Sequence, residues 1–166
     1  MKTISILTAA LYVLLAQTIV IQNKSENLFD SLEVMEGVRC FSFSKNKINL
    51  LDIDLKDHDK NLSGDLQQIS LVMYNPVNGR ISGDQFIHHA ISLLPARYKK
   101  YIDPEGINGI EIWMKGRKKS YTEFHLFIKN EKEDEMQFIV SFYGEFTLEE
   151  IKKLKEKGKV ISEDIG

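Results

Sequence analysis

The chain is poor in the residues that staple or interrupt small folds. Its 166 residues include a single cysteine and only three prolines. One thiol allows no internal disulfide and no closed zinc site of the cysteine type. An excess of one charge is missing too: 22 Lys and Arg stand against 24 Asp and Glu, a formal net charge of -2. The electrostatic footprint of a nucleic-acid binder is therefore absent, and no nucleic-acid partner is expected. The ten glycines never form G-x-G-x-x-G or a phosphate-binding P-loop; Asn78-Gly79-Arg80-Ile81-Ser82-Gly83 lacks the required lysine. No G-x-S-x-G elbow occurs, and the one thiol, Cys40, has no nearby histidine in sequence. After the first twenty-two residues no apolar run approaches the length of a membrane span.

What is present describes a packed domain. Hydrophobic residues make up 43% and aromatics 10%, too many core-formers for a disordered tail. A single domain of this length buries roughly 70% of its unfolded surface.

The N-terminus stands apart. Lys2 precedes an almost unbroken apolar run from Ile4 to Ala16, and polar sequence begins at Gln22. A short positive start, an apolar core and a small residue at its end are the layout of a secretory signal peptide, here cut after Ala16. The rival is an uncleaved anchor, since Ile4 to Ile21 nearly spans a bilayer. A buried core helix is the third reading, poorly suited to an extreme N-terminus with this charge pattern. On the first two readings the domain is expected to be exported, periplasmic or at the cell surface, with membrane contact confined to this segment. Residues 1–22 are thus assigned to export, 25–158 to one domain and 159–166 to a tail.

Along the domain, Leu28, Phe29, Leu32 and Met35 share one face of a helix over 25–35, which Gly37 stops. Val38 to Ser44 reads as a strand, with Phe41 and Phe43 on one side and Val38 and Cys40 on the other. Residues 45–66 suit a short helix with an irregular continuation. Gln68 to Tyr74 is a second strand, ended by Asn75-Pro76 and Asn78-Gly79. Phe86, Ile87, Ala90, Ile91, Leu94 and Tyr98 recur at helical spacing, and Pro95 should kink or interrupt that helix. Three strands follow, 108–115, 121–129 and 136–143, joined by short charged loops, which makes them an antiparallel meander. Thr147 with Glu150 three residues on is a capping box opening a last helix. These elements predict an α+β fold: a two-layer sandwich of a roughly five-stranded mixed sheet and three to four helices.

Candidate sites are few. His88 and His89 are adjacent on a helix, so their side chains diverge by about 100° and cannot share a metal. The acidic stretch Asp52 to Asp59 lacks the central Gly and final Glu of a calcium loop. No catalytic residue, cofactor or metal is therefore assigned. The feature that draws attention is the second face of the meander. With Ile112, Leu126 and Val140 turned to the core, the opposite face carries Trp113, His125, Phe127, Ile139 and Tyr143. Left open, it is a partner-binding face with Trp113 and Tyr143 as anchors; alternatively, the first helix or the segment 45–66 covers it. A hydrolase or ligand site assembled around His125 with Glu123 or Glu111 is the other reading, and a purely structural scaffold the third.

The order of several motifs resembles a known family. After the export signal come Leu28-Phe29-Asp30, Glu36-Gly37-Val38, Ser42-Phe43-Ser44-Lys45, Asp52-Ile53-Asp54, Gln68-Ile69-Ser70-Leu71 and Gly144-Glu145-Phe146-Thr147-Leu148-Glu149-Glu150-Ile151. Together they resemble the "domain of unknown function 4252" family of small exported, often lipoprotein-like proteins typical of the Bacteroidetes, over most of residues 25–156. The resemblance implies an envelope location and an α+β domain, with no activity or catalytic residue to carry over. No Cys follows the signal here, so lipid attachment is not expected. The sequence thus points to a non-enzymatic envelope module that binds another protein or a surface component.

Overall fold

The computed structural model describes residues 26–48, 66–102, 109–117, 119–132 and 134–155. The export segment, the acidic stretch at 52–59, the expected stop at Gly158 and the tail lie outside them. In chain order the elements are α1 (Glu26–Glu33), β1 (Val38–Ser44), α2 (Lys45–Ile48), β2 (Gln68–Tyr74), a 3-10 turn (Pro76–Asn78), α3 (Gly83–Ser92), β3 (Lys99–Tyr101), β4 (Ile110–Arg117), β5 (Ser120–Ile128) and β6 (Gln137–Phe146). Residues 148–155 form a further helix, α4.

The strands make one six-stranded sheet in the order β1-β2-β6-β5-β4-β3, with every pairing antiparallel. The α+β class and the β4–β5–β6 meander stand as expected. The sheet is neither mixed nor five-stranded, because 99–101 adds a strand to β4. That strand was hidden in the helical pattern of 86–98. Helix α3 ends at Ser92, the chain turns ahead of Pro95, and Tyr98 reaches the core from a loop. Proline supplies no N–H for a helix interior, so the periodicity outlasts the helix it suggests.

The two-layer expectation is also corrected. One face of the sheet packs Leu71, Leu126, Val140, Phe124 and Phe142 with Ile151 and Leu154 of α4. The other packs Val72, Tyr74, Phe127 and Ile139 with Leu28 and Leu32 of α1 and Phe86, Ile87 and Ala90 of α3. The cause lies in the central strands: Glu123 to Ile128 and Gln137 to Phe142 are buried at every position. A strand apolar on both sides needs cover on both sides.

Local signals explain the joints. Gly37 sits at φ 83, and a Cβ there would lie 2.7 Å from the Asn75 carbonyl oxygen. The same approach carries the Asn75 N–H bond to the Gly37 carbonyl, 2.9 Å, which starts the β1–β2 ladder. Ser82 caps α3 with Gln85 in a reciprocal pair of bonds, a capping box. Thr147 and Glu150 do the same for α4. Tyr74 stacks on Phe86 with ring centroids 4.3 Å apart, and its hydroxyl donates to the Ile81 carbonyl at 2.5 Å.

Candidate functional site

The register of the sheet sorts the face under α1 and α3 into cross-strand rows. One row is Cys40, Val72, Ile139, Phe127 and Glu111. The next is Ser42, Ser70, Ser141, His125, Trp113 and Lys100, one residue from each strand. The third is Ser44, Gln68, Tyr143, Glu123 and Lys115. The face therefore changes from apolar to polar along the strands. The apolar end seats the two helices, and the polar end is the candidate site.

This placement divides the five residues singled out from sequence. Phe127, Ile139 and His125 are fully buried, the first two against α1 and α3. Trp113 and Tyr143 are half-buried. The aromatic face is thus not an open patch: α1 and α3 cover its middle, burying Leu28, Leu32 and Phe86 against Phe127 and Ile139. His88 and His89, by contrast, are exposed, and His88 Nε2 lies 3.6 Å from Asp84 one turn earlier. Among the described residues no three His, Cys, Asp or Glu side chains are grouped to hold a metal.

At the centre of the polar row His125 Nδ1 and the Ser141 hydroxyl are 2.6 Å apart, while His125 Nε2 has no hydrogen-bond partner among the described residues. The rings of Tyr98, Tyr143 and Phe127 surround it at 5.1, 6.2 and 6.3 Å. Burial holds the imidazole pKa down to about 4; the Glu123 charge opposes that shift and Lys115 adds to it. His125 is therefore neutral in the fold. Beside it, Glu123 accepts hydrogen bonds from the Tyr98 hydroxyl and from Lys115. Burial works to raise the Glu123 pKa, but those two donors keep it below the ordinary carboxylate range. The Tyr98 hydroxyl is pushed well up, by burial first and then by the carboxylate it donates to. Further along, Glu111 takes bonds from Lys100 at 2.9 Å and Trp113 Nε1 at 3.3 Å. On the far side Ser70 Oγ meets Ser42 Oγ at 2.7 Å and receives Gln68 Nε2 at 3.1 Å.

No family model matches the chain, and neither a curated protein nor a solved structure does. Its chemistry therefore rests on the geometry alone. A groove of about 440 Å³ opens beside the charged pair, lined by Thr122, Tyr143, Gly144, Glu145 and Gln67 together with Lys115 and Glu123 themselves. His125 and Ser141 do not line it, and both have 0% of their surface exposed. Histidine and hydroxyl can share a proton there, yet a nucleophile must touch its substrate, and this one touches only the interior. Sequence reasoning offered His125 with Glu123 or Glu111 and did not single out Ser70, Ser141, Tyr98 or Lys115, which the fold places beside His125 and Glu123. Only the register between β2, β5 and β6 reveals the serines, and Tyr98 arrives through a loop that carries no motif.

Proposed function

We propose that the protein is an exported, non-enzymatic binding module of the bacterial cell envelope, akin to the "domain of unknown function 4252" family, that engages another protein or a surface component. The observation that carries this reading is the polar end of the sheet face. Helices α1 and α3 are committed to the apolar end, while half-buried Tyr143 lines a groove with Lys115 and Glu123, and half-buried Trp113 stands one cross-strand row nearer the helices. Amphipathic aromatics beside a paired cation and anion suit a polar partner surface better than a small apolar ligand. The sealed His125–Ser141 pair weighs against a hydrolase built on those two groups, since neither reaches the groove.

Crosslinking in intact cells, followed by mass identification of partners, tests the site. Trp113→Ala with Tyr143→Ala is expected to lower partner capture tenfold or more, the scale of losing two aromatic anchors. Far-ultraviolet circular dichroism and an unchanged cooperative thermal transition should show the fold retained. Capture unchanged by the pair would remove this surface from consideration. Export is tested by the intact mass: a mature chain beginning at Gln17 supports a cleaved signal, and a membrane-bound chain starting at Met1 supports the anchor.

A further inference from the structure

The two edges of the sheet are unlike. β3 has three residues, two of them lysines, Lys99 and Lys100. Short, lysine-bearing edges resist further strand addition. β1 has seven residues, Val38–Ser44, with no proline, no lysine and one charge, Arg39. Its outward backbone can be read from two bonds of the β1–β2 ladder. Asn75 N–H bonds the Gly37 carbonyl and Lys45 N–H bonds the Gln67 carbonyl, so the odd residues from 37 to 45 turn their backbone groups toward β2. The even residues, Cys40, Ser42 and Ser44 among them, then aim theirs away from the sheet. Among the described residues β1 pairs only with β2.

The side chains on this edge are unfinished in the same way. Phe41, Leu71, Val140, Leu126 and Ile112 form one row of the core under α4. Leu71 is 6% exposed and Val140 0%, but Phe41 is 44% exposed. No other strand among the described residues carries an exposed large hydrophobic side chain.

We propose that β1 pairs antiparallel with β1 of a second copy of this chain about a two-fold axis at Phe41, joining two sheets into one. The register follows from the outward backbone: Cys40 bonds Ser42 of the other copy and Ser42 bonds Cys40, while Phe41 faces Phe41 in the closer, non-hydrogen-bonded site. The core row then continues across the axis. Arg39 faces Phe43 of the other copy instead of its own counterpart, so the one charge meets an aromatic ring and no like charge. Residues 40 and 42 are small and clear the axis. Pairing of like edges closes after two copies, whereas a β1–β3 contact would need the short lysine edge and would propagate.

Sedimentation velocity of the full chain over a range of concentrations is the first measurement, with a dimer expected. Phe41→Lys, which sets two ammonium groups against each other at the axis, should abolish that dimer and leave the circular dichroism unchanged. Register is read by oxidative crosslinking in a Cys40→Ser background. Phe41→Cys should form an intermolecular disulfide, since facing Cα atoms at about 4.5 Å suit one. Arg39→Cys and Phe43→Cys, each facing a non-cysteine residue, should show loss of that product. A monomer at every concentration, a dimer indifferent to Phe41→Lys, or equal crosslinking at all three positions overturns the proposal. So does a monomer whose β1 captures an extended strand of a different protein.

Discussion

His125 is the residue whose chemistry is most altered by the fold. Its pKa of about 4 lies below the usual 6.5, so the folded state binds fewer protons than the unfolded chain between those values. The sign follows: stability is complete above pH 6.5 and is lost as pH falls toward 4, by up to about 3 kcal/mol. Urea unfolding at a series of pH values should show that slope, and His125→Leu should flatten it. Lys115 is held differently. It is the cation on a carboxylate with 4% of its side chain exposed, so Lys115→Met should leave an unpaired buried charge and cost about 3 kcal/mol. Lys115→Met with Glu123→Gln should recover most of that loss. A double variant no more stable than Lys115→Met alone would show that the pair is not coupled. Cys40, half-buried against the α1 cluster, has its thiol pKa raised to about 11 by burial and then by Glu33, so it stays protonated and slow toward alkylating reagents.

Among the elements, the β1–α1 corner depends on one backbone conformation. Gly37→Ala must place a Cβ at positive φ and 2.7 Å from a carbonyl oxygen, which should cost about 2 kcal/mol or more. Thermal unfolding of that variant against Ser82→Ala, which removes a cap worth about 1 kcal/mol, ranks the two joints. β1, β2 and the meander were legible from sequence because period-two alternation and turn residues agree there. The capping box at Thr147 was legible for the same reason, being local. β3 was not: three residues carry no periodicity, and Tyr98 completes a helical pattern that the chain abandons before Pro95.

At the scale of the whole molecule, β5 and β6 are paired on both sides and covered on both faces, whereas β1 and β3 are edges. Hydrogen exchange should therefore be slowest in 123–128 and 137–142 and fastest along β3. If β1 pairs with a second copy, its even-numbered amides should gain protection as concentration rises, a change that Phe41→Lys removes. The candidate site belongs to this scale as well. Its serines, histidine and tyrosine lie on β1, β2, β5, β6 and a loop, as much as 99 positions apart at Ser42 and Ser141, and meet only through strand register.

By itself the sequence determined what short-range physics controls: the α+β class, the alternation that puts Trp113, His125, Phe127, Ile139 and Tyr143 on one face, and the glycine and caps that end elements. Tertiary structure decided which of those five meet water. That choice depends on where α1 and α3 come to rest, and a helix seats itself wherever the largest apolar surface is left uncovered, a property of the assembled sheet and of no single segment. The packing of those helices hides three of the five residues and leaves Trp113 and Tyr143 half-buried at the polar edge.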